Sequence, residues 1–236
     1  DVVFSFGGPL VDGGMSMVAN NRSFGEMRGN TLGKRGYLVA FEPRMSPTAA
    51  VADEWVPVMP GTEGLVALAI GRVMVDEGIG AAANSPAAGI FSAGDVATAA
   101  SMSGVSEERL VKLARIFGSY ARPTAIPGGT VAAQANGPQA MTAILALNAL
   151  AGHLGDGGSA FTLTPPPADP AFAATRAASY SDVQGLIDTM LTGGVDVMMI
   201  QGDPRHELPI DSRFVEALAK VPYVVSFSSE VDETTL

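Results

Sequence analysis

Apolar residues arrive along this chain in two rhythms. Short unbroken runs read as strands: DVVFSF at 1–6, which reads as buried, YLVAF at 37–41, WVPV at 55–58 and PTAIPGG from 123. Between them lie longer stretches with apolar positions three and four apart. A helix-like segment covers 15–28. In PGTEGLVALAIGRVMVDEG, Leu65, Ala69 and Val73 share a helical spacing with Ile70 and Met74, and Gly78 is a natural stop. SEERLVKLARIFGSY is the clearest helix, with Ser106 as N-cap, Glu107 and Glu108 at the positive end of the dipole, and a stripe of Leu110, Leu113, Ala114 and Phe117. PQAMTAILALNALAGHLGDGG is apolar all round and reads as a buried helix. Residues 79–96, rich in Ala, Gly and Ser, give no clear period.

TPPPADPAFAATRAASYSD has prolines and no period, and it reads as a linker. A helix over 183–191, a strand over 195–200, a helix over 211–220 and a strand over 223–227 follow it. Strands alternating with helices predict an α/β fold of parallel sheets with helices on both faces. The predicted domains are a first α/β unit with a helical extension over 1–164, a linker over 165–181 and the start of a second α/β unit over 182–236. The chain opens on Asp1 directly in an apolar run and ends on Leu236 without an evident domain ending, so it reads as an internal piece of a longer protein.

The two units repeat each other. DVVFSFGGP and DVMMIQGDP both run from Asp to Pro in eight steps, Asp1 to Pro9 and Asp196 to Pro204. YLVAFEPRMSPT and YVVSFSSEVDET both run from Tyr to Thr in eleven steps, Tyr37 to Thr48 and Tyr223 to Thr234. Ligands on parallel sheets bind at the C-terminal strand ends, so a strand-loop-helix-strand unit used twice predicts two nucleotide-sized sites. Gly in the loop admits close backbone approach, and Pro fixes the turn.

Composition narrows the chemistry. Of 236 residues 47% are hydrophobic and 16% charged, a globular balance able to fill a core. A net charge of −10 argues against nucleic acid as the partner. The chain has no Cys and only His153 and His206, so Cys-ligated metals and clusters are excluded and a His-based metal site is not expected. No apolar run is long enough to span a membrane. Asp53 and Glu54 are neighbours on a strand and point to opposite sides, so they do not form an acid–base pair. Trp55 and the eleven Met, DVMMI included, read as core, and His153 as a packed or capping residue.

YLVAFEPRMSPTAAVADEWVPVMPGTEGLVALAIGRVM resembles the segment of molybdopterin oxidoreductases, the dimethyl-sulfoxide-reductase family, that usually reads Asp-Pro-Arg, Thr-Ala, Ala-Asp and Pro-Gly-Thr-Asp. GVSEERLVKLARIF, ALNALAGHLGDGG and QGDPRHELPIDSRFVEALAKVPYVVSFSSEVDETT continue the likeness in the family's order. Within the family the chain is most similar to large subunits of polysulfide and thiosulfate reductases and of quinone-linked respiratory complexes. The resemblance implies a bis(molybdopterin guanine dinucleotide) cofactor with Mo or W in the full-length protein, held on two pseudo-symmetric dinucleotide-binding units. It implies an Fe–S electron-transfer subunit and a membrane anchor subunit as partners, and the periplasmic face of a membrane as location. Carried over by position, Gly7, Gly8 and Pro9 form the first nucleotide loop, and Glu42, Pro43, Arg44, Ser46 and Thr48 the Asp-Pro-Arg segment. Gly61, Thr62 and Glu63 fill the motif whose carboxylate takes guanine N–H groups. Gly202, Asp203 and Pro204 form the second loop, with His206 beside it, and Ser226 to Thr234 the second strand end.

The family loop usually reads Gly-x-Asn-Pro; here Gly8 and Asp203 stand at the Asn positions. A carboxylate near a pyrophosphate repels it unless hydroxyls or a cation intervene. These departures leave two readings. In one the chain is part of an oxidoreductase that holds both guanine dinucleotide halves, with its metal ligand and cluster cysteines elsewhere, so that this stretch alone is not catalytic. In the other it is part of a cofactor-free scaffold subunit of the same fold. A third reading, the central domain of a thiamine-diphosphate-type enzyme, predicts no pterin and a single site.

Overall fold

The computed structural model describes residues 1–14, 16–29, 35–154 and 178–236. The chain divides into two compact units, Asp1–Thr164 and Pro165–Leu236. In the first unit four parallel strands, β1 (Val2–Phe6), β2 (Tyr37–Phe41), β3 (Glu54–Val56) and β4 (Pro123–Pro127), lie in the order β3-β2-β1-β4. Their unbroken apolar runs follow from burial on both sides. Val2, Phe4, Phe6, Val39 and Phe41 are fully buried in one core with Ile70 of α3 (Glu63–Asp76), Leu110, Leu113 and Phe117 of α5 (Glu107–Ser119) and Ile144 and Leu147 of α7 (Gly137–Leu150). Leu38 and Ala40, on the other face of β2, are fully buried as well. Phe4 sits 5.2 Å from Phe41 and 4.9 Å from Phe117 between ring centres, both tilted, as aromatic quadrupoles favour.

Helix α5 forms as its sequence predicts. Ser106 Oγ accepts the Arg109 N–H at 3.3 Å, and the stripe Leu110, Leu113, Ala114 and Phe117 is buried. The third strand ends earlier than the run WVPV suggests, because Pro57 has no N–H for the ladder. Residues 79–96 resolve into 3₁₀ turns at Ala82–Asn84 and Pro86–Ala93 and the start of α4 (Val96–Ser103). Short helices α1 (Met17–Arg28), α2 (Pro47–Val51) and α6 (Gly129–Ala132) complete the unit.

Both edges of this sheet are closed by side chains. Asn148, fully buried on α7, accepts the Ala125 N–H at 2.7 Å and donates to the Ala125 carbonyl at 2.8 Å. Those backbone groups point away from β1, so the amide stands where a further strand would pair. At the opposite edge, Arg109 Nη2 donates to the Trp55 carbonyl of β3 at 3.0 Å and also pairs with Glu54, which takes the Tyr37 hydroxyl, while Asp53 takes Arg28, Arg35 and the Leu38 N–H. The two acids face separate partners, as their neighbouring strand positions require.

In the second unit β5 (Val197–Ile200) and β6 (Tyr223–Ser226) pair in parallel. Ile187 and Met190 of α8 (Tyr180–Leu191), Ile200, and Phe214 and Ala217 of α10 (Phe214–Leu218) make its core. A capping box between Ser179 and Asp182 starts α8 before its apolar period begins. The stretch 211–220, which reads as one helix, is broken: Ile210–Ser212 is a 3₁₀ turn, and Arg213 takes a left-handed conformation before α10. Of the methionines of β5, Met199 is 71% exposed rather than core. Most of the stretch read as a linker, 165–177, lies outside the described residues. Among the described residues no helix is long and apolar enough to cross a membrane.

The repeat holds at the level of the backbone. Val2 pairs with Tyr37 as Val197 pairs with Tyr223. The Tyr37 N–H donates to the Asp1 carbonyl at 3.0 Å, and the Tyr223 N–H to the Asp196 carbonyl at 3.2 Å.

Asn148→Ala is expected to lower unfolding stability by about 2–5 kcal/mol in denaturant titration, because it leaves two buried backbone groups of Ala125 unpaired.

Candidate functional site

The order of the first sheet creates a switch point. From β1 the chain winds outward to β2 and β3 on one side, and β4 lies on the other. Loops leaving the C-terminal ends of β1 and β4 border a crevice there. The β1 loop turns at Gly7 with φ of +62°, a conformation that suits Gly, while its N–H stays on the Phe41 carbonyl at 3.0 Å. The β4 loop crosses it closely. A Cβ on Gly128 would lie 1.9 Å from the Gly7 carbonyl oxygen and 2.2 Å from the Gly8 Cα. Thr130 Oγ1 donates to the Gly7 carbonyl at 3.1 Å, and Ser5 Oγ to the Gly8 carbonyl at 3.1 Å. A side chain at position 8 would meet Ser5 Oγ at 2.9 Å, so Gly8 in place of Asn suits this crowded turn.

A cleft of about 440 Å³ opens against these loops, a volume suited to a small ligand. Gly7, Pro9, Glu42, Pro43, Arg44 and Ser46 line it. Asp12, Gly129 and Thr130 line it too; the sequence reading did not single these out. Glu42 closes the end of β2. The Trp55 indole N–H donates to its carbonyl at 3.0 Å, and its own N–H reaches the Val56 carbonyl at 3.3 Å. Its residue is only 5% exposed. Burial, the largest influence, pushes its carboxyl above the ordinary 4.5; the Ser46 hydroxyl and N–H pull it down, Asp12 pushes it up, and Arg44 pulls it down. Ser46 Oγ also caps α2 by accepting the Ala49 N–H at 3.1 Å.

Thr48 does not line this cleft. It is fully buried, and its hydroxyl accepts the N–H groups of Leu10 at 2.9 Å and Val11 at 3.2 Å while donating to Asp12 Oδ1 at 2.6 Å. Gly61, Thr62 and Glu63 form the turn into α3. Asn136 Nδ2 donates to the Gly61 carbonyl at 2.9 Å, and Thr62 Oγ1 donates to the Met59 carbonyl at 2.6 Å. Glu63 is 1% exposed at the helix start, and its Oε2 has no hydrogen-bond partner among the described residues. A carboxylate oxygen buried without a donor is costly, and Glu63 is not among the residues that line the cleft.

In the second unit Gly202 takes φ of +99° at the position matching Gly7. Pro204 begins the short helix α9 (Pro204–Glu207). Asp203 Oδ1 accepts the Thr234 hydroxyl, and Thr234 Oγ1 in turn accepts the Arg205 N–H at 3.2 Å. Two of the residues carried over, from the segments that follow β5 and β6, therefore meet. Arg205 Nη1 donates to the Glu233 carbonyl at 2.8 Å. Ser226 Oγ accepts the Ser228 N–H at 3.2 Å, and His206 is exposed on α9. A hollow of about 480 Å³ lies beside α9 and α10, lined among others by Pro204, Arg205, Arg213 and Phe214. Among the described residues no cluster of His, Asp and Glu has the arrangement of a metal site.

Gly128 and Gly129 carry a signal the sequence offered, a Gly pair directly after a strand, which repeats the pattern of Gly7 and Gly8. Gly128→Ala is expected to cost about 1–3 kcal/mol in thermal or denaturant unfolding, as overpacking against backbone does, while Gly129→Ala, with open space around its Cβ, stays near the parent. Glu42 has a folded-state value raised above its unfolded one, so the folded chain binds the extra proton and stability falls as pH rises through and above 4.5. Glu42→Gln is therefore expected to raise the unfolding midpoint at neutral pH, with the gain vanishing below 4.5.

No family model matches the chain. It is 27% identical over its full length to the menaquinone reductase molybdopterin-binding-like subunit of Nitratidesulfovibrio vulgaris, of which it spans 35%. Over 150 residues, 51% of the chain and 18% of the relative, it is 31% identical to a putative dimethyl sulfoxide reductase chain of Escherichia coli. Over 45 residues, 19% of the chain and 5% of the relative, it is 44% identical to the molybdopterin-containing subunit of arsenate respiratory reductase from Chrysiogenes arsenatis. Acetylene hydratase from Pelobacter acetylenicus shares the fold with a TM-score of 0.51 and 19% identity, over 66% of this chain and 22% of that one. The chain thus spans about a third or less of these relatives. In sequence it is similar to proteins of the molybdopterin oxidoreductase family, and its parallel-sheet architecture is shared with the acetylene hydratase fold.

Proposed function

We propose that this stretch holds the guanine nucleotide ends of a bis(molybdopterin guanine dinucleotide) cofactor, one on each α/β unit, within a larger respiratory oxidoreductase. The observation that carries this reading is Glu63: a buried carboxylate at the start of α3 whose Oε2 lacks a donor among the described residues. A guanine edge presents adjacent N–H groups, and a carboxylate accepts two donors at once. In the first unit the backbone of Gly7 and Pro9 would face the ribose-phosphate part, with Glu42 and Ser46 offering polar atoms at the end of β2 and Arg44 the cation among the cleft residues carried over. When bound, the metal–pterin group supplies two-electron redox chemistry. This chain's part is to hold the nucleotide and keep the loop backbone fixed around it. An Fe–S electron-transfer subunit and a membrane anchor subunit are the partners this reading implies. The names of a menaquinone reductase subunit and a dimethyl sulfoxide reductase chain among the relatives support it.

One observation favours a second reading, a cofactor-free scaffold subunit of the same fold. Asp203 brings a carboxylate to the second loop, and that carboxylate is already engaged by Thr234. The relative matched along the full chain is named molybdopterin-binding-like.

Binding of GDP and ADP to the cofactor-free full-length protein separates the two readings. The nucleotide reading expects GDP to bind in preference to ADP, and Glu63→Gln to weaken GDP about tenfold or more while leaving ADP unchanged. Equal binding of the two nucleotides, or a GDP affinity indifferent to Glu63→Gln, would contradict it.

A further inference from the structure

One hydroxyl performs the same task in both units. Thr48 stands eleven residues after Tyr37, and Thr234 eleven after Tyr223; Leu10 follows Pro9, and Arg205 follows Pro204. The Leu10 N–H donates to Thr48 Oγ1 at 2.9 Å, and the Arg205 N–H donates to Thr234 Oγ1 at 3.2 Å. Each threonine then gives its own proton to a carboxylate, Thr48 to Asp12 and Thr234 to Asp203. The two carboxylates come from positions that do not correspond. Asp12 lies three residues after the loop proline, and Asp203 directly before it. Two units that differ in where the acid comes from agree in where its hydrogen bond ends.

The valence of a hydroxyl sharpens the point. It has one proton to donate and two lone pairs. Thr48 accepts from Leu10 and Val11 and donates to Asp12, so all three capacities are in use, and its residue is fully buried. No capacity is left for a ligand. An aspartate that accepts this proton also fixes which way the hydroxyl points, and so keeps both lone pairs turned to the backbone N–H groups.

We propose that Thr48 and Thr234 are positioning residues, each latching a Gly-x-Pro loop to the segment that follows the second strand of its unit, and that Asp12 and Asp203 are the latch acceptors. The loops are those assigned above to the nucleotide, so the proposal deepens that reading, but the latch exists without any nucleotide. It gives Asp203 a structural reason to stand where the family usually has Asn. An ionised carboxylate holds a hydroxyl in a charge-assisted hydrogen bond, stronger than one to a neutral amide oxygen.

Amide hydrogen exchange of the ligand-free full-length protein tests the proposal, read over 9–12 and 204–207. Thr48→Val keeps the shape and removes the hydroxyl; the first segment is expected to exchange roughly five- to tenfold faster, and Thr48→Ser to restore it. Thr234→Val and Asp203→Ala are expected to do the same to the second segment, with Asp203→Asn, whose neutral amide oxygen accepts more weakly, falling between Asp203→Ala and the parent. If Thr48→Val does not fold, the second unit's variants carry the test. Unchanged exchange in the Val variants, or loss in the Ser variants equal to that in Val, overturns the latch. So does a loss of GDP affinity with ligand-free exchange unchanged, which would make the threonines ligand contacts. A parent that binds no GDP yet shows the exchange pattern sinks the nucleotide reading and leaves the latch standing.

Discussion

The close crossing of two backbones, Gly7–Gly8 after β1 and Gly128 after β4, sets the geometry of the first unit. It exists because β1 is central and carries β2 on one side and β4 on the other, so that the loops from β1 and β4 leave the sheet at neighbouring points. Two chains can cross with this little space only where neither carries a side chain; a single Cβ on Gly128 would overlap the Gly7 carbonyl. The carbonyls of Gly7 and Gly8 are tied by the hydroxyls of Thr130 and Ser5. The N–H groups of Leu10 and Val11 are tied by Thr48. What remains open toward the cleft is a fixed backbone surface, and fixing it before a ligand arrives reduces the ordering cost of binding.

Charge distinguishes this site from a plain phosphate cradle. The cleft carries Asp12 and Glu42 against the single guanidinium of Arg44. Asp12 is engaged by Thr48, and burial pushes the Glu42 carboxyl above its ordinary value. In the second unit Thr234 engages Asp203 in the same way, and Arg205 donates to the Glu233 carbonyl.

Much of this was legible in the sequence because the strands are short, apolar and buried on both faces, and the helix from Ser106 has its cap, its charges and its stripe in order. The repeat was legible because Gly and Pro recur at fixed offsets from Asp and Tyr, and register follows from those offsets. Other features were not legible. Asn148 closing the edge of β4 is a contact between residues 23 apart, and nothing in the local pattern marks a buried amide as a strand mimic. Asp12 and Thr130 entered the cleft through tertiary approach of loops far apart in sequence. Thr48 read as a ligand because it follows a strand within a polar segment; only the three-dimensional hydrogen-bond pattern reveals that its hydroxyl is saturated. The helix over 211–220 broke because Arg213 takes a left-handed turn that helical periodicity does not encode.

The central claim is that these paired loops hold guanine nucleotide ends of a pterin cofactor. Its most direct measurement is the content of pterin, guanine nucleotide and Mo or W in the full-length protein purified as a folded, active complex. The account predicts guanine nucleotide and pterin together with the metal at near-stoichiometric level. Their reproducible absence from such a complex would contradict it.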